Sequence, residues 1–325
     1  MRTFDWFIAS KGAFHWPLLL FHPAFFSFLG SILHLNLLLS KRKQWPYWLV
    51  ALLTAVLLIC FSAAMVLAQP ISLTGDRWLA ITSVTGDVDI TPYQGRRRQA
   101  RLGDRLEQVG DSIATGANAS ARLDVDQAAG EISMAENSQL QVQALSITRS
   151  GGRITRLRVN RGQVRTRVRP FTNPDSELEI YTPAGVSGVR GTDFGVSVQP
   201  SGAMAVATQS GNVATSAQSQ TVSVTAGLQS TVFPGEPPTA PEPLRNDPTL
   251  FVESISLSSD NQFVRLIGRT DAVNLLEIAG EAIALTRTGS FDTLVPIAAM
   301  WDDRQVSATV LTPLGMKQAY EVVVP

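Results

Sequence analysis

Cysteine and histidine are what this 325-residue chain is shortest of. Its one cysteine, Cys60, sits in an apolar run, so no disulfide can close within the chain and no cysteine-type zinc site can form. Its three histidines, His15, His22 and His34, all precede residue 40. From residue 70 onward neither type occurs. That excludes histidine general bases, Ser-His-Asp and Cys-His nucleophile systems and nearly all transition-metal sites from this part. What remains for chemistry is mainly carboxylates and hydroxyls, and the chain reads as non-enzymatic, without cofactor or metal. Lysine is also scarce: after residue 69 only Lys317 occurs. Formal net charge is zero, with 22 of 27 basic and 26 of 27 acidic residues after residue 69, leaving that part at −4. A balance of this kind points to no nucleic-acid partner. No long 3.6-period segment appears downstream either, so helix is not expected there.

What is present divides sharply. Lys41-Arg42-Lys43, then Trp45, Tyr47 and Trp48, lead into Leu49–Ala68, an uncharged run of 20 residues. That length crosses a bilayer core, the aromatics suit its interface, and the basic triplet marks the cytoplasmic side. Residues 44–69 therefore read as a membrane anchor or, because Val66-Leu67-Ala68 suits a signal-peptidase site, as a cleaved signal peptide. Both readings place the rest outside the cytoplasm, anchored in the inner membrane with periplasmic domains or released to the periplasm. Residues 1–43 hold a second apolar stretch interrupted by Pro17 and Pro23. It reads either as a first membrane helix or as sequence ahead of a misassigned start.

From Trp78 the pattern changes to short apolar runs punctuated by Gly, Asn, Asp and Ser, the signature of many short strands. Residues 78–233 are expected to form one β-domain, a sandwich, roll or solenoid-like fold. Residues 234–249, PGEPPTAPEPLRNDPT, are expected to be an extended, semi-rigid linker. Residues 250–325 resume the strand pattern, with Pro296 marking an edge strand or a strand end. Asp124 and Asp126, two apart, are expected on one solvated strand face.

Between Arg149 and Arg169 arginines alternate with apolar residues. Arg156 and Arg158 share one strand face, opposite Leu157 and Val159. Arg165, Arg167 and Arg169 stand likewise against Val164 and Val168. Asn160-Arg161-Gly162 is expected to turn a hairpin that aligns the two rows. One reading is a binding face for phosphate- or carboxylate-bearing envelope polymers or an acidic partner. The other is a solvated face paired to Glu177 and Glu179. The modest charge of residues 80–233, 15 Arg against 13 Asp and Glu, favours the second.

The stretch Thr182–Val196, TPAGVSGVRGTDFGV, carries four glycines, suggesting tight turns, positive φ or close backbone approach. It lacks G-x-x-x-x-G-K-[ST] and leads into alternating β-pattern, so it is not a phosphate loop. Arg190 and Asp193 are expected to form its polar staple.

Taken in order, several motifs form a series. They are Gly86-Asp87-Val88, Leu102-Gly103-Asp104, Asp111-Ser112-Ile113-Ala114-Thr115-Gly116, Arg161-Gly162-Gln163-Val164, Thr182-Pro183-Ala184, Val189-Arg190-Gly191-Thr192-Asp193-Phe194 and Gly211-Asn212-Val213. The series resembles the FecR domain, an extracytoplasmic sensor module, over about 150 residues. The resemblance implies an all-β, non-enzymatic domain for signal reception or envelope interaction. Its best-known members relay a signal from an outer-membrane transporter to a cytoplasmic sigma factor through a sizeable cytoplasmic domain. This chain departs from them, offering about 40 largely apolar residues ahead of Trp45 in place of a soluble helical module. In residues 250–325 the order Gly268-Arg269-Thr270, Leu275–Glu281, Gly289-Ser290-Phe291-Asp292 and Leu294–Ile297 resembles bacterial Ig-like modules. The expected protein is thus all-β: a FecR-like domain and an Ig-like sandwich after one or two hydrophobic helices. Its expected partners are an envelope protein or glycan, and the membrane through the N-terminal segment.

Overall fold

Alternation of buried and exposed residues builds the molecule. A computed structural model describes residues 77–126, 129–258, 262–299 and 304–324. The membrane-anchor, signal-peptide and second-helix readings for residues 1–69 lie outside them. Among the described residues no helix is long and apolar enough to cross a membrane. Ser72–Pro325 forms one compact unit.

The first part contains β1 (Leu79–Thr85), β2 (Val88–Thr91), β3 (Arg98–Gln99), β4 (Arg105–Leu106), β5 (Ser112–Thr115), β6 (Ser120–Val125), β7 (Gly130–Met134) and β8 (Gln139–Ile147). It continues with β9 (Arg153–Val168), β10 (Glu177–Tyr181), β11 (Val186–Val189), β12 (Asp193–Val198), β13 (Met204–Ser210), β14 (Asn212–Ala217), β15 (Gln220–Thr225), β16 (Leu228–Val232) and β17 (Glu242–Pro243). One sheet runs β4-β1-β6-β7-β9-β12-β13-β16-β17. The other runs β3-β2-β5-β8-β9-β10-β11-β14-β15. All pairs are antiparallel except β9 with β10. Their inward residues, among them Leu79, Leu123, Val164 and Phe194 from one sheet and Ile90, Leu140, Leu157 and Val213 from the other, share a single core.

β9 belongs to both sheets. Residues 154–159 pair with β8 and β10, and residues 162–168 pair with β7 and β12. The expected hairpin at Asn160-Arg161-Gly162 is therefore corrected to a bulge within one continuous strand. Gln139 pairs with Arg161 and Leu140 with Val159, so Asn160 is the extra residue. Gly162 has φ +83, and a Cβ there would lie 2.3 Å from the Ser138 hydroxyl. That buried hydroxyl accepts the Gln163 N–H at 2.9 Å. A glycine that reads as a turn in sequence thus transfers the strand from one sheet to the other.

The Pro-rich stretch is not the extended spacer expected. Thr239 and Thr231 exchange hydrogen bonds, the Thr239 N–H donating to the Thr231 carbonyl at 2.9 Å and the Thr231 N–H to the Thr239 hydroxyl at 3.0 Å. β17 then pairs with β16, which lays the stretch along the first part. Beyond it come β18 (Phe251–Leu257), β19 (Phe263–Arg269), β20 (Leu275–Ile278), β21 (Glu281–Ile283), β22 (Ser290–Pro296), β23 (Gln305–Leu311) and β24 (Lys317–Val323). They form a three-stranded sheet, β18-β19-β22, and a four-stranded sheet, β21-β20-β23-β24. Val264, Leu266, Leu276, Ile278, Phe291, Val306 and Val310 fill the space between. Pro296 ends the edge strand β22, where its missing N–H breaks no ladder.

Candidate functional site

The arginines on β9 are held in two separate settings. Arg156 Nε donates to Glu179 Oε2 at 2.7 Å, and its Nη2 to Glu177 Oε1 at 2.8 Å. Burial works against its charge, but the two carboxylates outweigh it and raise its pKa. Glu179 also accepts the Tyr181 hydroxyl at 2.9 Å, and burial, reinforced by that carboxylate, pushes the phenol up. Arg158 lies opposite Gln141 and Tyr181 and makes no ion pair among the described residues. In the other sheet Arg165 grips Asp193 with two prongs, at 2.8 and 2.9 Å, and its Nη1 donates to the Leu314 carbonyl at 3.0 Å. The exposed Arg167 reaches Asp193 at 3.3 Å and Glu131 at 3.9 Å. Arg169, just past the strand, is exposed and makes no ion pair among the described residues. Arg156 and Arg158 thus sit in one sheet, Arg165 and Arg167 in the other, and the aligned rows expected from a hairpin do not form.

The glycine-rich stretch makes the crossing between sheets. The Thr182 hydroxyl accepts the Gly185 N–H at 3.1 Å and lies 3.0 Å from the Gly185 carbonyl, closing a tight turn over the exposed Pro183. β11 then ends at Val189, buried in the core, and β12 begins at Asp193 in the opposite sheet. At Gly191 the chain has φ +133, and a Cβ would come within 2.3 Å of the Pro170 Cα. The Thr192 hydroxyl donates to the Asn212 carbonyl at 3.1 Å, and Phe194 is fully buried. Asp193 pairs with Arg165 and Arg167, and the exposed Arg190 makes no ion pair among the described residues. The expected Arg190–Asp193 staple is therefore replaced by one across neighbouring strands.

The C-terminal sandwich docks on the sheet that holds Arg165. The Gln163 side-chain amide donates to the Pro313 carbonyl at 2.6 Å, and the Ser197 hydroxyl to the Val273 carbonyl at 2.9 Å. Gln199 Nε2 donates to the carbonyls of Ala272 and Asn274 at 2.8 and 3.1 Å, while its Oε1 accepts the Leu285 N–H at 3.3 Å. A Cβ on Gly195 would lie 1.7 Å from the Pro313 carbonyl oxygen, so backbone meets backbone there. Nothing in the sequence reading anticipated this seam. The signal was available: Gln163, Gly195, Ser197 and Gln199 are uncharged positions in line with the charged Arg165, Arg167 and Asp193 of β9 and β12. Beside the seam lies a groove of about 620 Å³ lined by, among others, Ser83 and Ser133, the cations Arg122, Arg165, Arg167 and Lys317, and the acids Glu131 and Glu136. Lys317 pairs with Glu136 at 2.6 Å.

A second cleft, about 570 Å³, lies where the chain enters the β-domain and includes Arg77, Asp126, Arg153 and Arg169. Arg77 binds both oxygens of Asp126 at 2.5–3.1 Å. Asp126 is therefore not on a solvated strand face. It follows the end of β6 with φ +49 and turns inward to its partner. Among the described residues no group of three or more His, Cys, Asp or Glu side chains forms a metal site.

The family model described as FecR protein matches residues 111–214, from the start of β5 through much of β14. No curated protein matches the chain. Two solved structures from Parabacteroides distasonis, at 1.65 and 2.50 Å resolution and both described as "a putative anti-sigma factor", align at 14% and 13% identity with TM-scores of 0.34 and 0.35. The alignments cover 41% of this chain and 59% of each of those chains.

Proposed function

We propose, from the match of residues 111–214 to the FecR protein model, that this chain is a non-enzymatic, extracytoplasmic sensor that receives an envelope protein or glycan partner and is anchored in the inner membrane by residues 44–69. The family match carries the reading. The uncharged run Leu49–Ala68 behind a basic triplet supports the location. The C-terminal module is read as an Ig-like sandwich, supported by its seven strands in sheets of three and four. It shares a seam with the FecR-matched sheet, so a partner seated on either module contacts a unit that includes the other.

A structural envelope role, with the arginines gripping anionic polymers, is the weaker reading. It needs one continuous cationic face, whereas Arg156 and Arg165 are each engaged by carboxylates in different sheets. Purification of the full chain from cross-linked native membranes separates the two. The sensor reading expects a membrane or outer-membrane protein to be recovered in fixed ratio. Recovery with peptidoglycan or glycan alone would favour the structural role instead.

A further inference from the structure

We infer that the end of the β-domain where the chain enters it docks on the phosphate headgroups of anionic lipids, an inference that rests on the membrane-anchored reading above. Three observations meet there.

The first is reach. The apolar run ends at Ala68, leaving residues 69–76 before Arg77. At the extended limit those residues span about 28 Å. The end bearing Arg77 therefore stays within that distance of the bilayer surface, whatever the rest of the domain does.

The second is rigidity. Beyond its contacts with Asp126, Arg77 donates through Nη1 to the carbonyls of Ser146 and Ile154 at 2.9 and 2.5 Å, and through Nη2 to the Thr155 hydroxyl at 2.7 Å. Asp126 follows β6 of one sheet; Ser146, Ile154 and Thr155 belong to β8 and β9 of the other. The residue that receives the tether is thus bonded to both sheets, so the end of the domain that bears it moves as one body.

The third is charge. Arg153 and Arg169 line the cleft beside Arg77. Arg149 precedes its Ser150 wall, and the Arg190 carbonyl accepts the N–H of Phe171, another lining residue, at 3.0 Å. Arg149, Arg169 and Arg190 are exposed and make no ion pair among the described residues. Arg153 reaches Asp126 only at 3.6 Å, and that carboxylate is already committed to Arg77. Two acids oppose them, Asp76 directly ahead of Arg77 in the chain and Asp175, which accepts the Ser150 hydroxyl. Four exposed arginines therefore outnumber these two acids and leave this end net positive. Arginine matches phosphate oxygens with a planar fork, and tethering raises the local concentration of headgroups far above that of any soluble anion.

The test uses the full chain in lipid nanodiscs, in a Cys60→Ser, Thr172→Cys background with a fluorophore at the exposed position 172. Energy transfer to a headgroup-labelled lipid reports how close this end lies. Transfer is expected to be greater with phosphatidylglycerol than with phosphatidylcholine alone, and the excess is expected to vanish in about 1 M salt, where screening falls to roughly 3 Å. Each arginine near an anionic surface shifts the docking equilibrium about fivefold, so Arg149→Ala with Arg169→Ala is expected to lower it by roughly 25-fold. Equal transfer in both disc types overturns the proposal. A response to inorganic phosphate in neutral discs, with none to anionic lipid, also overturns it, in favour of a soluble-anion site. Anchoring is read separately from alkaline-washed native membranes. Release of the chain there overturns the anchored reading, whereas equal transfer from a retained chain overturns docking alone.

Discussion

Asp193 is the residue on which the glycine-rich stretch closes. It opens β12, accepts two prongs from Arg165 and one from Arg167, and precedes Phe194, among the largest fully buried side chains. Removing a half-buried carboxylate that serves two guanidinium groups loses charged hydrogen bonds. Asp193→Ala is expected to lower the unfolding free energy by about 1–3 kcal/mol. Arg190→Ala is expected to stay within about 0.5 kcal/mol, as exposed substitutions do. Urea denaturation of both variants decides it: a large loss for Arg190→Ala with none for Asp193→Ala would restore the pairing read from sequence. That pairing looked natural because the residues are three apart beside a glycine. It fails because the sheet crossing falls between them, and proximity along the chain becomes separation across a sandwich. Asp126 misled in a similar way. Its alternation with Asp124 suggests one strand face, yet β6 stops at Val125. Its partner Arg77 lies ahead of the β-pattern, where no periodicity marks it.

Among the elements, β9 carries the architecture, and its pivot is testable. Gly162 adopts a left-handed conformation against the Ser138 hydroxyl. Gly162→Ala adds a backbone cost and a steric one, together about 2–4 kcal/mol, measurable as a lower denaturation midpoint. The alternation of Arg with Leu and Val made the strand legible. The bulge was not, because a glycine with φ near +80° serves a turn and a bulge equally well, and only the partner strand distinguishes them. The Pro-rich stretch offers a second element-level prediction. Asp271, nearly buried, binds Arg245 of that stretch at 2.5 and 3.0 Å. Burial pushes its carboxyl up, but the hydrogen bonds from Arg245 and Gln229 outweigh burial and hold it below the ordinary value. A depressed carboxylate stabilises fully above its unfolded pKa of about 3.9 and loses that contribution as pH falls through the folded value. Stability is therefore expected to fall with acid below about pH 4, and Asp271→Asn to make that slope shallower. An unchanged slope would show that the latch contributes nothing.

At the scale of the whole molecule, the question is whether two β-modules act as one. Composition suggests a boundary at residues 234–249, since prolines cluster there between two strand-rich stretches. It could not reveal docking, because a proline-rich segment is equally suited to hold modules apart or to lie flat against one. The seam is written in single residues: Gln163, Ser197 and Gln199 spend their side chains on backbone groups of the C-terminal sandwich, and Gly195 leaves room for Pro313. Hydrogen bonds donated to carbonyls across a buried seam cost free energy when broken without solvent access, so the modules are held jointly. Gly195→Ala places a Cβ where the Pro313 carbonyl oxygen now sits, with no flexible side chain able to yield. Since Gly195 has no positive φ, its own strand tolerates alanine, and the FecR-matched core is expected to remain folded while the sandwich lifts away. Limited proteolysis within residues 234–249 is then expected to speed up, with little change in the unfolding of the first core. If partner recovery from cross-linked membranes also falls in Gly195→Ala, with that core intact, the composite unit and not the FecR domain alone is what the partner recognises. If proteolysis is unchanged, the seam yields elsewhere and the two modules are coupled more loosely than their hydrogen bonds imply.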